Sequence, residues 1–310
     1  MLKVNNIHKS YYQKKVINDL SFSVQEGEIY GLLGPNGAGK TSVLRILNKI
    51  IEPEKGDLYY NKEILQFQHL KKFGYLPEER GLYKSMTVWK HLLLFAHLKE
   101  LNYKEAKKRV SFWLEKLNIL SWKDKKIEQL SKGMAQKIQF IACLIHQPQL
   151  IILDEPFSGF DPLNIDLFEQ ILIELKKEGK SIIISSHNMK SVETMCDRAL
   201  LIQNGQKIIE GSVSSWKKDY KKNIYSIKFK GNMLAFANAL WSNFELLDKK
   251  EIEEGVFEAI VKMRHENNFQ DLIRSLLTNV EIIKAEEVFP DLQQIFVDLV
   301  TPLQTETTPQ

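Results

Sequence analysis

The rhythm of hydrophobic and polar positions changes several times along the chain. Residues 2–7 and 16–24 alternate apolar and polar side chains with the period of two of half-buried strands. Ile29-Tyr30-Gly31-Leu32-Leu33, Leu150-Ile151-Ile152-Leu153 and Ser181-Ile182-Ile183-Ile184-Ser185 are apolar almost throughout, the pattern of strands covered on both faces. Leu58-Tyr59-Tyr60 and Phe73-Gly74-Tyr75-Leu76 read as shorter strands, the latter ending at Pro77. Helical spacing sets in after residue 42, with Val43, Leu44, Leu47 and Ile50 on one face. It returns behind Thr87, over 104–118, from Ser131 to Ile145, and over 163–178, where Leu163, Leu167, Ile171 and Leu175 are in phase up to Gly179. Three successive helices within an otherwise β-α order predict an inserted helical subdomain at about 85–146. Residues 199–211 read as a hairpin turning at Asn204-Gly205.

A second unit follows. Residues 216–224 are polar and lysine-rich, with Lys217, Lys218, Lys221 and Lys222, and read as a basic linker. Residues 225–300 then run strand, helix, strand, strand, helix, strand and a last helix, the order of a small ferredoxin-like α+β domain. The polar residues 301–310 are expected to be a disordered tail.

Composition narrows the class. A chain of 310 residues with 44% hydrophobic and 26% charged residues has ample core for two domains. A net charge of +4 is too mild to predict a nucleic-acid partner. Cys143 and Cys196 lie far apart and outside any C-x-x-C pair, which suits a reducing compartment. No run of about 18 apolar residues is present, and the start Met1-Leu2-Lys3-Val4-Asn5 lacks the features of a signal peptide, so a cytoplasmic protein is expected.

The chemistry concentrates in four places. Gly34-Pro35-Asn36-Gly37-Ala38-Gly39-Lys40-Thr41 fits G-x-x-x-x-G-K-[ST], between an apolar run and a helical one. Strand, glycine loop and helix together aim backbone N–H groups and a helix N-terminus at phosphates, with Ser42 on the first helical turn. Lys40 would reach the β- and γ-phosphates, and Thr41 would offer its hydroxyl to Mg²⁺. The apolar strand at 150–153 ends in Asp154-Glu155; the first carboxylate can hold Mg²⁺ and the second can take a proton from an attacking water. Leu130-Ser131-Lys132-Gly133-Met134 opens a helix, Ser158-Gly159-Phe160-Asp161 follows the acidic pair, and His187 ends the next apolar strand.

In order and spacing these motifs resemble those of the ATP-binding subunits of ABC transporters, across roughly residues 1–215. The resemblance implies an α/β P-loop NTPase core, a mixed sheet with an antiparallel β subdomain and the inserted helices, followed by the small α+β domain. It implies an ATPase that uses Mg²⁺ and works as a head-to-tail dimer sandwiching two ATPs. Such a subunit sits at the inner face of the membrane on a separate integral permease. Ser131 and Gly133 would then meet the γ-phosphate of ATP held by the second copy, Asp161 would shape the dimer contact, and His187 would bridge the γ-phosphate and Glu155. Tyr11, with Tyr12 as its rival, resembles the aromatic that stacks on adenine. An ATPase uncoupled from transport, or an ATP-dependent regulatory module, remains as the alternative.

The chain also departs from the family pattern. Lys132 stands where the signature has glycine, at a cost of about 1 kcal/mol if that position needs a left-handed backbone. Met134 replaces a glutamine. Glu78 occupies the place of the glutamine that joins core and helical subdomain; it can still supply an oxygen to Mg²⁺, and Arg80 can offset its charge. Pro77-Glu78-Glu79-Arg80-Gly81-Leu82-Tyr83, the L-S-K-G-M form and the stretch from Ala285 to Phe296 resemble the export branch related to drug and sodium efflux systems.

Overall fold

The computed structural model describes residues 1–79, 81–240, 244–264 and 268–300. Two compact units divide the chain, Met1–Val213 and Ser214 onward.

In the first unit, β1 (Leu2–Tyr11) and β2 (Lys14–Val24) form an antiparallel pair, and β3 (Ile29–Leu33) leads through a loop to α1 (Lys40–Leu47). Next come β4 (Lys55–Tyr60), β5 (Glu63–Ile64) and β6 (Phe73–Leu76), then the helices α2 (Val88–Leu98), α3 (Tyr103–Lys116) and α4 (Lys132–Leu144). The remainder is β7 (Leu150–Asp154), α5 (Pro162–Lys177), β8 (Ser181–Ser186), α6 (Met189–Met195), β9 (Arg198–Gln203) and β10 (Gln206–Ser212). Thr87, Asn102 and Ser131 cap α2, α3 and α4 by accepting the N–H three residues on, so each helix of the insert starts at a side chain able to satisfy a free donor.

Two sheets share one core. The antiparallel sheet has the order β2-β1-β4-β5, and the six-stranded sheet the order β10-β9-β3-β8-β7-β6. All neighbours in the latter are parallel except β10 on β9. The strands β3, β7 and β8 are buried along their whole length, which is why their sequences show no alternation. Ile7, Leu20 and Phe22 of the first sheet pack with Val43, Leu44 and Leu47 of α1 and with Leu32, Ile152 and Ile183 of the second. Because β8 lies between β3 and β7, three strand ends stand side by side: the glycine loop, Asp154-Glu155 and His187 emerge from one edge of the sheet. Carboxyl ends of adjacent parallel strands are where open α/β sheets bind ligands.

The second unit comprises β11 (Ile224–Lys230), α8 (Met233–Leu240), β12 (Phe244–Glu253), β13 (Val256–Met263), α9 (Phe269–Leu277), β14 (Glu281–Val288) and α10 (Leu292–Val300), after α7 (Val213–Asp219) at the boundary. Its sheet, β12-β13-β11-β14, is antiparallel throughout, the ferredoxin-like arrangement. Ile227 and Phe229 pack with Phe236, Leu272 and Leu276, and the rings of Phe229 and Phe236 stack 4.2 Å apart.

Three expectations change. Residues 213–219 form a helix where 216–224 reads as a linker; Val213 and Trp216, three apart, are buried, and the surrounding lysines mask that helical spacing. Lys221 and Lys222 pair with Glu287 at 3.6 Å and Asp298 at 2.6 Å, so they belong to the second unit. The strand over 2–7 continues to Tyr11, which places that tyrosine on β1. The tail 301–310 lies outside the described residues.

Candidate functional site

At the end of β3 the chain turns through Gly34, with φ +150°, and enters α1 through Gly39, whose φ of +107° is left-handed. A Cβ at Gly39 would stand 2.7 Å from the Val16 carbonyl oxygen, so close approach of β2 fixes glycine there as firmly as the backbone angle does. A cleft of about 410 Å³ opens over this loop, lined by Val16, Asn36 to Ser42, Glu78, Glu155, Ser158 and His187. Lys40 is buried; its ammonium donates to the carbonyls of Gly34 at 2.8 Å and Pro35 at 3.2 Å.

The acidic pair is built around a serine. Asp154 is fully buried, and its Oδ1 accepts from Ser185 Oγ at 2.6 Å. The same Oγ accepts the N–H of Glu155 at 3.0 Å. Glu155 adopts φ +48°, a left-handed conformation that costs a non-glycine residue about 1 kcal/mol. The Ser185 bond helps to hold that turn. It carries the carboxylate into the cleft, where Oε2 meets His187 Nδ1 at 2.8 Å and Oε1 lies 3.8 Å from Lys40 Nζ. One carboxylate thus bridges the histidine and the lysine.

Asp154 Oδ2 is buried without a hydrogen-bond partner. A buried carboxylate oxygen left unpaired is costly, and a cation seated beside it removes the cost. Asp154 does not itself line the cleft; its orphan oxygen lies one residue before the lining Glu155, and with Thr41 and Glu78 of the cleft it suits a hard divalent ion held by few protein ligands and substrate phosphates. Among the described residues no cluster of three His, Cys, Asp or Glu forms a cage.

Other residues singled out by sequence lie elsewhere. Ser131 and Gly133 sit at the N-terminus of α4, and Ser131 Oγ accepts the Met134 N–H at 3.3 Å. Asp161 caps α5, taking the Asn164 N–H at 3.0 Å and its side-chain amide at 2.6 Å; these bonds hold its carboxyl below the usual range. None of the three lines the cleft. Tyr11 Oη reaches Ser42 Oγ at 3.5 Å, whereas Tyr12 is fully exposed. Lys132 is the first residue of α4 with an ordinary right-handed backbone, so the feared strain is absent. Arg80 lies outside the described residues.

Sequence reasoning passed over Ser185 and two glutamines. Gln136 and Gln139 are buried on α4; the first donates to the Pro156 carbonyl at 3.1 Å and the second to the Pro77 carbonyl at 2.9 Å. One helix therefore grips the loops that carry Glu155 and Glu78. The available signal was polar side chains on an otherwise apolar helical face.

A second, mostly apolar groove of about 290 Å³ lies between the insert and the core sheet, lined by Ile50, Phe73, Tyr75, Leu82, His91, Phe95, Gln139 and His146 among others. Burial lowers both histidines to about 4, and both ring nitrogens of His91 lack partners. The folded pKa is below the unfolded one. Stability is therefore full above about pH 6.5 and falls with pH down to about 4, as the unfolded chain takes protons that the folded chain refuses. For His91 the loss at pH 5 relative to pH 7 is about 2 kcal/mol. Urea unfolding at both values checks this: His91→Phe should remove about half of the fall that the two histidines produce together, and an equally steep fall would remove His91 as a cause.

Comparison with known proteins bears on this geometry. A protein-family model described as ABC transporter matches residues 17–158. The uncharacterized ABC transporter ATP-binding protein YhaQ of Bacillus subtilis is 36% identical over 300 residues, covering 97% of this chain and 98% of that protein. The linearmycin resistance ATP-binding protein LnrL of the same organism is 30% identical over 304 residues, 96% of this chain and 98% of that one. A solved ATP-binding subunit of an ABC transporter superposes with a TM-score of 0.66 at 30% identity, over 71% of this chain and 93% of that one.

Proposed function

The chain belongs to the family of ABC transporter ATP-binding proteins and is an ATPase, and from that premise we propose that two copies, joined head to tail, hydrolyse ATP to drive export through a separate membrane permease. The observation that carries the reading is the Glu155 carboxylate held between Lys40 and His187, one residue after Asp154 with its buried, unpartnered oxygen.

The loop amides of Gly34 to Thr41 cradle the phosphates, and Lys40 leaves its carbonyl partners for them. Asp154, Thr41 and Glu78 are the residues that would hold Mg²⁺, which would supply positive charge to neutralise the phosphates. Phosphoryl transfer to water has a loose transition state, so catalysis rests on placement and on charge neutralisation. Water oxygen attacks the γ-phosphorus, the bond to the β–γ bridging oxygen breaks, and Glu155 takes the water proton. His187 fixes the rotamer of Glu155 through their 2.8 Å contact. Ser131 and Gly133 lie off the cleft of their own chain; at a helix N-terminus they suit the γ-phosphate of ATP in the second copy.

No helix among the described residues is long and apolar enough to cross a membrane. The apolar groove, with Ile50 and Tyr83 more than half exposed near it, supplies a docking face for a permease, and the chain would work at the cytoplasmic side of the membrane. The efflux direction draws on likeness to LnrL, described as a linearmycin resistance ATP-binding protein.

Tagged chain expressed in its native cells should co-purify from the membrane fraction with a multi-span protein identifiable by mass spectrometry. Ile50→Glu should cut that recovery about tenfold while the isolated chain keeps its ATPase rate. Recovery unaffected by the substitution would move docking elsewhere. No membrane recovery at all would leave an ATPase uncoupled from transport.

A further inference from the structure

Lys132, Gly133 and Gln136 at the start of α4 stand against the loop that follows Glu155. The Lys132 stem lies across Gly159: a Cβ there would stand 3.1, 3.2 and 3.5 Å from Lys132 Cε, Cδ and Cγ. A Cβ at Gly133 would meet the Gly159 carbonyl oxygen at 3.6 Å. One turn on, the buried Gln136 donates to the Pro156 carbonyl. The loop is anchored at its far end by the Asp161 cap and by Phe160 packing 4.6 Å from Phe168. Gly159 itself has φ +83°, a backbone that favours glycine, which leaves bare main chain for the lysine to cover.

Glu155 is sensitive to this loop. Its left-handed turn is closed from the loop side by the Ser158 N–H donating to the Glu155 carbonyl at 3.2 Å. A shift of the loop therefore swings the carboxylate relative to Lys40 and His187.

We propose that Lys132 is a positioning residue whose methylene stem clamps the 156–161 loop to the N-terminus of α4. Through it, the end of α4 that meets the second copy's ATP and the Glu155 that serves its own ATP move as one piece. The departure from glycine in the signature is then a mechanical link between the two sites of the pair. The stem carries the effect, and the charge does not. This inference rests on the head-to-tail reading above.

The test is steady-state ATPase kinetics of the full chain carrying Lys132→Ala or Lys132→Met. Lys132→Ala should lower kcat about tenfold with KM for ATP changed less than about twofold, because placement is lost while binding is kept. Its Hill coefficient should fall toward one. Lys132→Met, which restores the stem without charge, should recover most of the rate and the cooperativity. A Lys132→Ala protein with wild-type kcat and Hill coefficient overturns the clamp, and so does a Lys132→Met protein as slow as Lys132→Ala, since that would place the effect in the ammonium. Size-exclusion chromatography of Glu155→Gln in ATP separates the two layers. If it stays monomeric, the head-to-tail reading fails and the clamp with it. If it dimerises while the Lys132 variants are silent, only the clamp fails.

Discussion

Glu155→Gln is expected to lower ATP turnover by about a thousandfold while ATP still binds, because it removes the proposed general base without removing a shape. Glutamine fills the same volume and can still hydrogen-bond His187. It cannot accept a proton from water. The setting makes this loss hard to compensate: the carboxylate is only 12% exposed, spans Lys40 and His187, and hangs from a strained turn pinned by Ser185. Asp154, one residue back, is fully buried and committed to Ser185. With chemistry stalled, the ATP-bound pair should persist as a closed dimer. Single-turnover hydrolysis and size-exclusion chromatography in ATP check the two halves. Turnover within about tenfold of wild type would leave Glu155 a positioning role only.

Much of this site was legible because its parts are local. The glycine loop needs particular residues at particular backbone angles, so Gly34, Gly37, Gly39 and Lys40 announce themselves in sequence. The strands β3, β7 and β8 are buried on both faces and therefore read as unbroken apolar runs. Their adjacency is another matter. Strand order is a property of the sheet, and it is the order β3-β8-β7 that brings Lys40, Glu155 and His187 together. Ser185 was hidden for the same reason: within an isoleucine run it looks like filler, and only the pairing of Asp154 with Ser185 across β7 and β8 shows its purpose. The lysine-rich helix at 213–219 was lost because two buried positions are too few to set a period. Lys132 misled in the opposite direction. Its departure from glycine implied strain if the position needed a left-handed backbone, whereas the residue opens α4 with right-handed angles and its stem lies over Gly159.

A pair of glycine substitutions should separate what the loop needs for folding from what it needs for ATP. A Cβ at Gly34 would stand 2.2 Å from the carbonyl oxygen of Ile202, near the C-terminal end of the buried strand β9, and 3.1 Å from the Ala38 Cβ. Neither neighbour can retreat: Ile202 is fully buried and its strand pairs with β3 and β10. Gly34→Ala should therefore destabilise the protein by on the order of 3 kcal/mol, a drop of roughly 6–12 °C in Tm. It should also misplace the Gly34 carbonyl that Lys40 contacts, so ATP affinity falls too. Gly37 presents the opposite case. Its φ is +80°, but no atom lies within 4 Å of where its Cβ would be. Gly37→Ala should cost only the conformational preference, about 1 kcal/mol, or roughly 2–4 °C. Its added methyl would nonetheless stand in the cleft where the phosphates must approach the backbone, so the stabilisation by saturating ATP should largely vanish. Thermal melts of both variants with and without ATP read the two effects independently. A Gly34→Ala protein melting with the wild type would show that β9 yields at Ile202. A Gly37→Ala protein with a full ATP-induced shift would show that the loop meets phosphate elsewhere along its length.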